Sequence, residues 1–229
     1  MTDTTIDQCF SLVHGQTQGR PEPEKMTQRA ITISRQTGCG ALEVAEVVGR
    51  LMSQQLPPTV APWTVFDRNL MDKVLEDHQL PPSLARYLPE DRISELEDLI
   101  TDVFGIIPSS QTSARHTAET ILRLVEIGGV VVIGRGANMI TARLPRVLHV
   151  RLVAPLADRI ARIAETDHKL PADARRFCEE EDLARARYLK KHFNANIDDP
   201  HLYHMVLNTS RIGYDETARL IADAAQHLN

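Results

Sequence analysis

The chain has 229 residues, with 26 Lys and Arg against 31 Asp and Glu, a net charge of −5; 42% of residues are hydrophobic and 25% charged. These are globular proportions, so wholesale disorder is excluded, and the acidic balance argues against broad electrostatic capture of nucleic acid. Three cysteines, Cys9, Cys39 and Cys178, are too few and too scattered for a disulfide framework or a zinc site, and no apolar run reaches the length of a membrane span. The first residues lack the basic-then-apolar layout of a signal peptide, so a reducing cytoplasm is the expected location.

Residues 1–28 hold a Gly-, Gln- and Pro-rich stretch and read as a tail or linker, with Ile6 to Val13 apolar enough for one short helix. Ala30 to Ile33 is a β-prone run that ends in the turn Gly38-Cys39-Gly40. A helix follows, with Ala41, Val44, Ala45, Val48, Leu51 and Met52 on one stripe and Pro57-Pro58 as its stop. Trp63 to Phe66 is a second strand closed by Asp67-Arg68. Asn69 to Asp77 reads as helical, Leu80-Pro81-Pro82 as a break, and Pro89 to Thr120 as mostly helical with an interruption near Gly105 to Ser110. Thr117 to Ile127 leads through Gly128-Gly129 into Val130 to Ile133, a wholly apolar run suited to a parallel strand buried on both faces. Further strands are expected at Val147 to Leu152 and Tyr203 to Asn208, and helices at Leu156 to Glu165, Asp173 to His192 and Asp215 to Leu228. Five short apolar strands separated by helices imply an α/β fold, a parallel sheet with helices on both faces. Ligands in such folds sit at the carboxyl ends of the strands, which directs attention to Ser34–Gly40, Asp67-Arg68, Gly134–Asn138 and Asn208–Ser210.

Glycines after a strand let backbone N–H groups turn inward, and the next helix adds its positive end, so Thr37-Gly38-Cys39-Gly40-Ala41 would suit a phosphate. Against G-x-x-x-x-G-K-[ST], with Gly40 as the second glycine, Arg35 takes the first glycine, Ala41 the lysine and Leu42 the hydroxyl position. A glycine turn that only reverses the chain explains this loop equally well. The dinucleotide fingerprint fails at both glycine pairs, where Glu43 and Met139 replace the third glycine, so a Rossmann oxidoreductase is a remote reading. Arg35, Arg68 and Arg135 each end a different expected strand, and convergence at one edge would make an anion site; the alternative is helix capping or pairing with Asp67 or Glu43. Arg159, Arg162, Arg175, Arg176, Arg185, Arg187, Lys190 and Lys191 alternate with Glu179 to Asp182. Such a run is either a solvated helix face or a lid that closes over phosphates. His201-x-x-His204 has no further ligands at metal spacing, and Cys39 is a small packing residue or a thiol activated at a helix start.

On these residues the chain resembles the cytidylate kinase-like P-loop proteins. The resemblance runs from about Ala30 to the C-terminus, through Ile31 to Gly40, Phe66-Asp67-Arg68, Val132 to Asn138, Ala154 to Ile160, Asp182 with Arg185 and Tyr188, and Leu207 to Ser210. It implies a three-layer P-loop NTPase-like fold over 29–229, with a helical monophosphate-binding insert at about 69–127 and a lid at about 159–192. It implies Mg²⁺ and ATP as co-substrate at Thr37, Gly38, Cys39, Gly40 and Ala41. The acceptor nucleotide, CMP or dCMP first, would lie at Asp67, Arg68, Gly134, Arg135, Asp182 and Arg185. Arg35, Arg135, Arg159, Arg162 and Arg185 would act on the phosphates, and Glu43 would either ligate Mg²⁺ or pair with an arginine. The departures are Ala41 for the loop lysine, Leu42-Glu43 near the hydroxyl, and Gly136 where an acidic residue follows the glycine-arginine pair. They keep open a kinase-derived module that binds a nucleotide without turning it over, and a regulatory protein whose tail recruits a partner.

Overall fold

The computed structural model describes residues 29–58, 60, 62–67 and 112–228. Five strands, β1 (Ala30–Arg35), β2 (Thr64–Phe66), β3 (Val130–Ile133), β4 (Val147–Val153) and β5 (Met205–Asn208), form one sheet in the order β2-β3-β1-β4-β5. All pairings are parallel, with Ile33 beside both Ile133 and Val150. Each strand is four to seven residues long except β2, which has three.

Side chains alternate across the sheet and so divide the core in two. Ile31, Ile33, Val131, Leu148, Val150 and Leu152 face helices α1 (Ala41–Ser53) and α7 (Tyr214–His227). Ala30, Val130, Val132 and Phe66 face α2 (Thr112–Ile127) and α3 (Ala137–Ile140). Val44, Val48, Ile121, Leu122 and Ile221 are fully buried, each worth roughly 1.5–3 kcal/mol of apolar transfer. Helices on both faces of a parallel sheet make the three-layer α/β architecture expected from the sequence.

Two helices lie apart from that core. α4 (Leu156–Thr166) and α5 (Pro171–Phe193) pack on each other through Ile163, Ala174 and Cys178. Pro171 starts α5 and Asn194, with φ 51°, caps its end in the left-handed region. β5 is followed by the short helix α6 (Thr209–Ile212), capped by the Asn208 side chain on the Arg211 N–H.

The strand bounds differ modestly from expectation. β1 runs two residues further, because Ser34 and Arg35 keep pairing with Arg151 and Leu152. β5 starts at Met205, since Pro200–Leu202 form a 3-10 turn first. The tail at 1–28 lies outside the described residues, as do Arg68 and most of the segment expected as an insert. The last part of that segment, α2, packs its Ala118, Ile121, Leu122 and Val125 in the core layer beneath β3.

Candidate functional site

The sheet order places the carboxyl ends of β1 and β3 side by side, and each ends in a glycine loop. Gly38 and Gly40 have φ of 80° and 77°, and Gly40 caps α1 without any side-chain hydrogen bond. A Cβ at Gly38 would lie 2.7 Å from the Arg159 carbonyl oxygen, and one at Gly40 would overlap the Tyr214 ring. Positive φ and close packing thus account for both glycines. Cys39 is buried, its thiol pushed up to about 11 chiefly by loss of water, so it is a packing residue and not an activated nucleophile.

Asp182 of α5 reaches this loop from 145 residues away. Its Oδ1 accepts the Thr37 N–H at 2.8 Å and the Thr37 hydroxyl at 3.0 Å. Arg185 Nη2 donates to the same oxygen at 2.6 Å and also contacts the Thr37 hydroxyl. Arg159 Nη1 donates to Asp182 Oδ2 at 2.7 Å and to the Thr37 carbonyl at 3.1 Å, while its Nε holds the Ala154 carbonyl at 3.0 Å. Burial would raise the Asp182 carboxyl, but the Thr37 N–H and hydroxyl and the Arg185 guanidinium together hold it below the usual carboxylate range.

Arg35, Arg135 and Arg185 line one cavity of about 30 Å³, together with Ser34, Asn138 and Tyr188. Its floor is fixed by Arg151, which donates to Ser34 Oγ at 3.0 Å and to Asp198 at 2.6 Å, and by Tyr203, whose hydroxyl lies 3.3 Å from Ser34 Oγ. The Arg35 guanidinium packs where a Gly134 Cβ would be. Its pKa falls to about 10, first through desolvation and then through the Arg185 charge, with Arg135 adding a smaller share. Among the described residues no carboxylate makes an ion pair with Arg35. Asn138 is 4% exposed, and its amide nitrogen has no partner among the described residues. Such a cavity admits a water or two, far short of the several hundred Å³ that a nucleotide fills.

The remaining arginines behave differently. Arg162 pairs with Glu43 and lies over the Tyr214 ring, 4.9 Å from its centroid. Glu43 thus makes the arginine pair that the sequence offered as one of its two roles. Among the described residues no group of three or more acidic, His or Cys side chains stands close enough to hold a metal ion. Arg175 and Arg176 make exposed pairs with Glu179 and Asp173, so this part of α5 is a solvated helix face. Asp67 follows β2 at the same sheet edge but does not line the cavity, and His201 pairs with Asp199 while His204 stacks on His149.

Sequence reasoning assigned no role to Ser34, Asn138 or Tyr188, although all three lie within stretches it singled out. It placed Asp182 with the acceptor, whereas the carboxylate contacts the first glycine loop. Among the described residues no helix is long and apolar enough to cross a membrane.

A solved structure of an uncharacterised protein from Eubacterium ventriosum shares the fold, with a TM-score of 0.66, 16% identity and coverage of 86% of this chain and 98% of that one. A cytidylate kinase of Halobacterium salinarum is 33% identical over 73 residues, which is 32% of this chain and 38% of that protein. A uronate isomerase of Corynebacterium glutamicum is 24% identical over 141 residues, or 62% of this chain and 27% of that protein. The chain therefore matches well under half the length of either curated relative. Residues 30–211, which contain both glycine loops and the α4–α5 arginines, match the Cytidylate kinase-like family as a whole, and the chain belongs to that family.

Proposed function

We propose that the protein transfers a phosphoryl group from Mg-ATP to a nucleoside monophosphate, with CMP and dCMP the first acceptors to test. Family membership and the three-layer fold support a nucleotide-kinase type of chemistry. The observation that carries the reading further is the convergence of Arg35, Arg135 and Arg185 on one cavity beside the glycine loop. Phosphoryl transfer asks a protein mainly for position and positive charge, and guanidiniums supply both through paired N–H donors.

In this reading Thr37 to Ala41 hold the donor phosphates, and Arg135 and Arg185 the acceptor phosphate. Arg159 and Arg185 then close on the group in flight. The donors gathered around Asp182 already hold an oxyanion, so a phosphoryl oxyanion fits the same set. Glu43, on the first turn of α1, would hold Mg²⁺ together with phosphate oxygens on leaving its pair with Arg162, and the ion would offset their charge. Base recognition would fall to the segment expected as the insert, about 69–127, and the partner is a small-molecule nucleotide.

The experiment is ADP release from Mg-ATP across a panel of nucleoside monophosphates, with a no-acceptor control and Arg135→Ala. Turnover that depends on acceptor and collapses in Arg135→Ala supports the kinase. One observation favours a second reading, a binding module with little turnover: Ala41 stands where the lysine of a phosphate loop would be. Saturable nucleotide binding with a flat panel would select it.

A further inference from the structure

The hydrogen bonds around Asp182 come from three separate elements. The loop after β1 gives the Thr37 N–H and hydroxyl, α4 gives Arg159, and α5 gives Arg185. A backbone N–H at the mouth of a glycine loop, a hydroxyl and two guanidiniums are the donors that recognise a phosphoryl oxyanion. The other acidic side chains of α5 make no such set. Glu179 pairs with Arg175 on an exposed face, and Glu181 pairs with Arg185 one turn away.

Positive charge also gathers here: Arg35, Arg135, Arg159 and Arg185 stand at the ends of β1 and β3, with Asp182 and Glu181 of α5 paired to Arg159 and Arg185. Arg159 is 6% exposed, so its charge has little water to lean on. A buried guanidinium beside a half-buried one, with a backbone N–H and a hydroxyl, is a donor set that suits an anion with more charge than one carboxylate.

We propose that the Asp182 carboxylate sits in the place of the transferring phosphoryl group. In the state described here it takes the donors of Thr37, Arg159 and Arg185 that a terminal phosphate takes once the side chain swings out. The inference rests on the phosphotransferase reading and adds to it: it names the seat of the group in flight and makes α5 its competitor. Free of nucleotide, the protein latches α5 onto its own phosphate loop. A ligand with a dianionic phosphoryl end displaces the latch, because two negative charges meet both guanidiniums where the carboxylate brings one.

The test uses the full chain and inorganic pyrophosphate, a phosphoryl ligand without a base. Calorimetric titration compares wild type with Asp182→Asn, Asp182→Ala and the exposed control Glu179→Gln. Both Asp182 variants should bind pyrophosphate and ATP at least about tenfold more tightly, the scale of removing one well-placed charged hydrogen-bonding competitor. Glu179→Gln should match wild type. Unchanged or weaker binding in folded Asp182 variants would overturn the proposal and make Asp182 an organiser of the donors. Equal tightening in Glu179→Gln would overturn it too, since net charge alone would then explain the gain. Should the variants fail to fold, carboxyl-carbon NMR of the wild type decides. Saturating pyrophosphate should return the Asp182 carboxyl towards the ordinary carboxylate range, and a carboxyl that stays low overturns the proposal. Tighter pyrophosphate binding in the variants, with no acceptor-dependent ADP release by wild type, would sink the kinase and leave the phosphoryl seat standing. An active kinase whose variants bind as wild type does would do the reverse.

Discussion

The loops Gly38-Cys39-Gly40 and Gly134-Arg135-Gly136 are nearly the same object in sequence and in backbone. Each follows a buried strand of one sheet, and each ends in a left-handed glycine that starts a helix, with φ and ψ of 77° and 29° at Gly40 and 69° and 21° at Gly136. They differ in what fills the space over the glycines. Tyr214 and the Arg159 backbone cover the first loop, and Arg35 and Phe193 cover the second. They differ again in the middle residue: Cys39 turns inward and is buried, while Arg135, itself at φ 58°, lines the cavity. A glycine pair after a strand therefore reports tight backbone geometry. The chemistry is set by the side chain between the glycines and by the arginines brought from elsewhere.

Removing the middle residue of the second loop should have the largest effect. Arg135→Ala should lower turnover with the best acceptor by at least about a hundredfold, the scale of one preorganised transition-state contact. Because the second loop is read as the acceptor side, the KM for ATP should stay near wild type. Initial rates over both substrates check this, and near wild-type kinetics would remove Arg135 from the site.

The first loop makes its own demand through Cys39. The folded thiol titrates near 11 against an ordinary 9.0, with burial as the main cause. Below pH 9 both states keep the proton and nothing changes. Between 9 and 11 the unfolded chain loses it first, so stability should fall as pH rises, by roughly 3 kcal/mol in all. Urea melts at pH 8 and 11 should show this component in wild type and not in Cys39→Ala. An equal drop in both proteins would contradict the buried thiol.

A smaller effect separates a packed left-handed glycine from an open one. Gly129 has φ 65° with nothing near its missing Cβ, whereas a Cβ at Gly40 would run into the Tyr214 ring. Both alanine variants carry a left-handed strain of about 1–2 kcal/mol. The overlap should make Gly40→Ala worse by roughly 2 kcal/mol in chemical denaturation. Least of all, Arg162→Ala should cost about 1 kcal/mol or less, since a half-exposed Glu43 pair and one ring contact are all it loses. A larger loss would show that the Tyr214 contact braces the first loop.

Much of the fold was legible because short apolar runs such as Val130–Ile133 have one economical home, a parallel strand covered on both faces. The α1 stripe and the arginines at strand ends were readable for the same reason: local periodicity and position relative to a strand end are written along the chain. The long-range partners were not. Nothing near Asp182 in sequence shows that its carboxylate meets Thr37, and nothing near Gly134 shows that Arg35 fills its missing side chain. Both contacts depend on how α5 and β3 approach β1, and they form only when the sheet order exists. Ser34 and Tyr203 were obscure for a related reason, as their hydroxyls matter through the Arg151–Asp198 network that braces the cavity floor.

The sheet order also bears on how the protein is made. β1 is the earliest of the five strands, yet it lies in the middle, between β3 and β4. Its first partner, Val130, is about a hundred residues downstream. During synthesis β1 and α1 must therefore wait, apolar faces open, until most of the chain has left the ribosome. Completing the sheet and bringing the glycine loop up to the arginines are one late event, so a nascent chain truncated before β4 should have neither a stable centre nor an anion site.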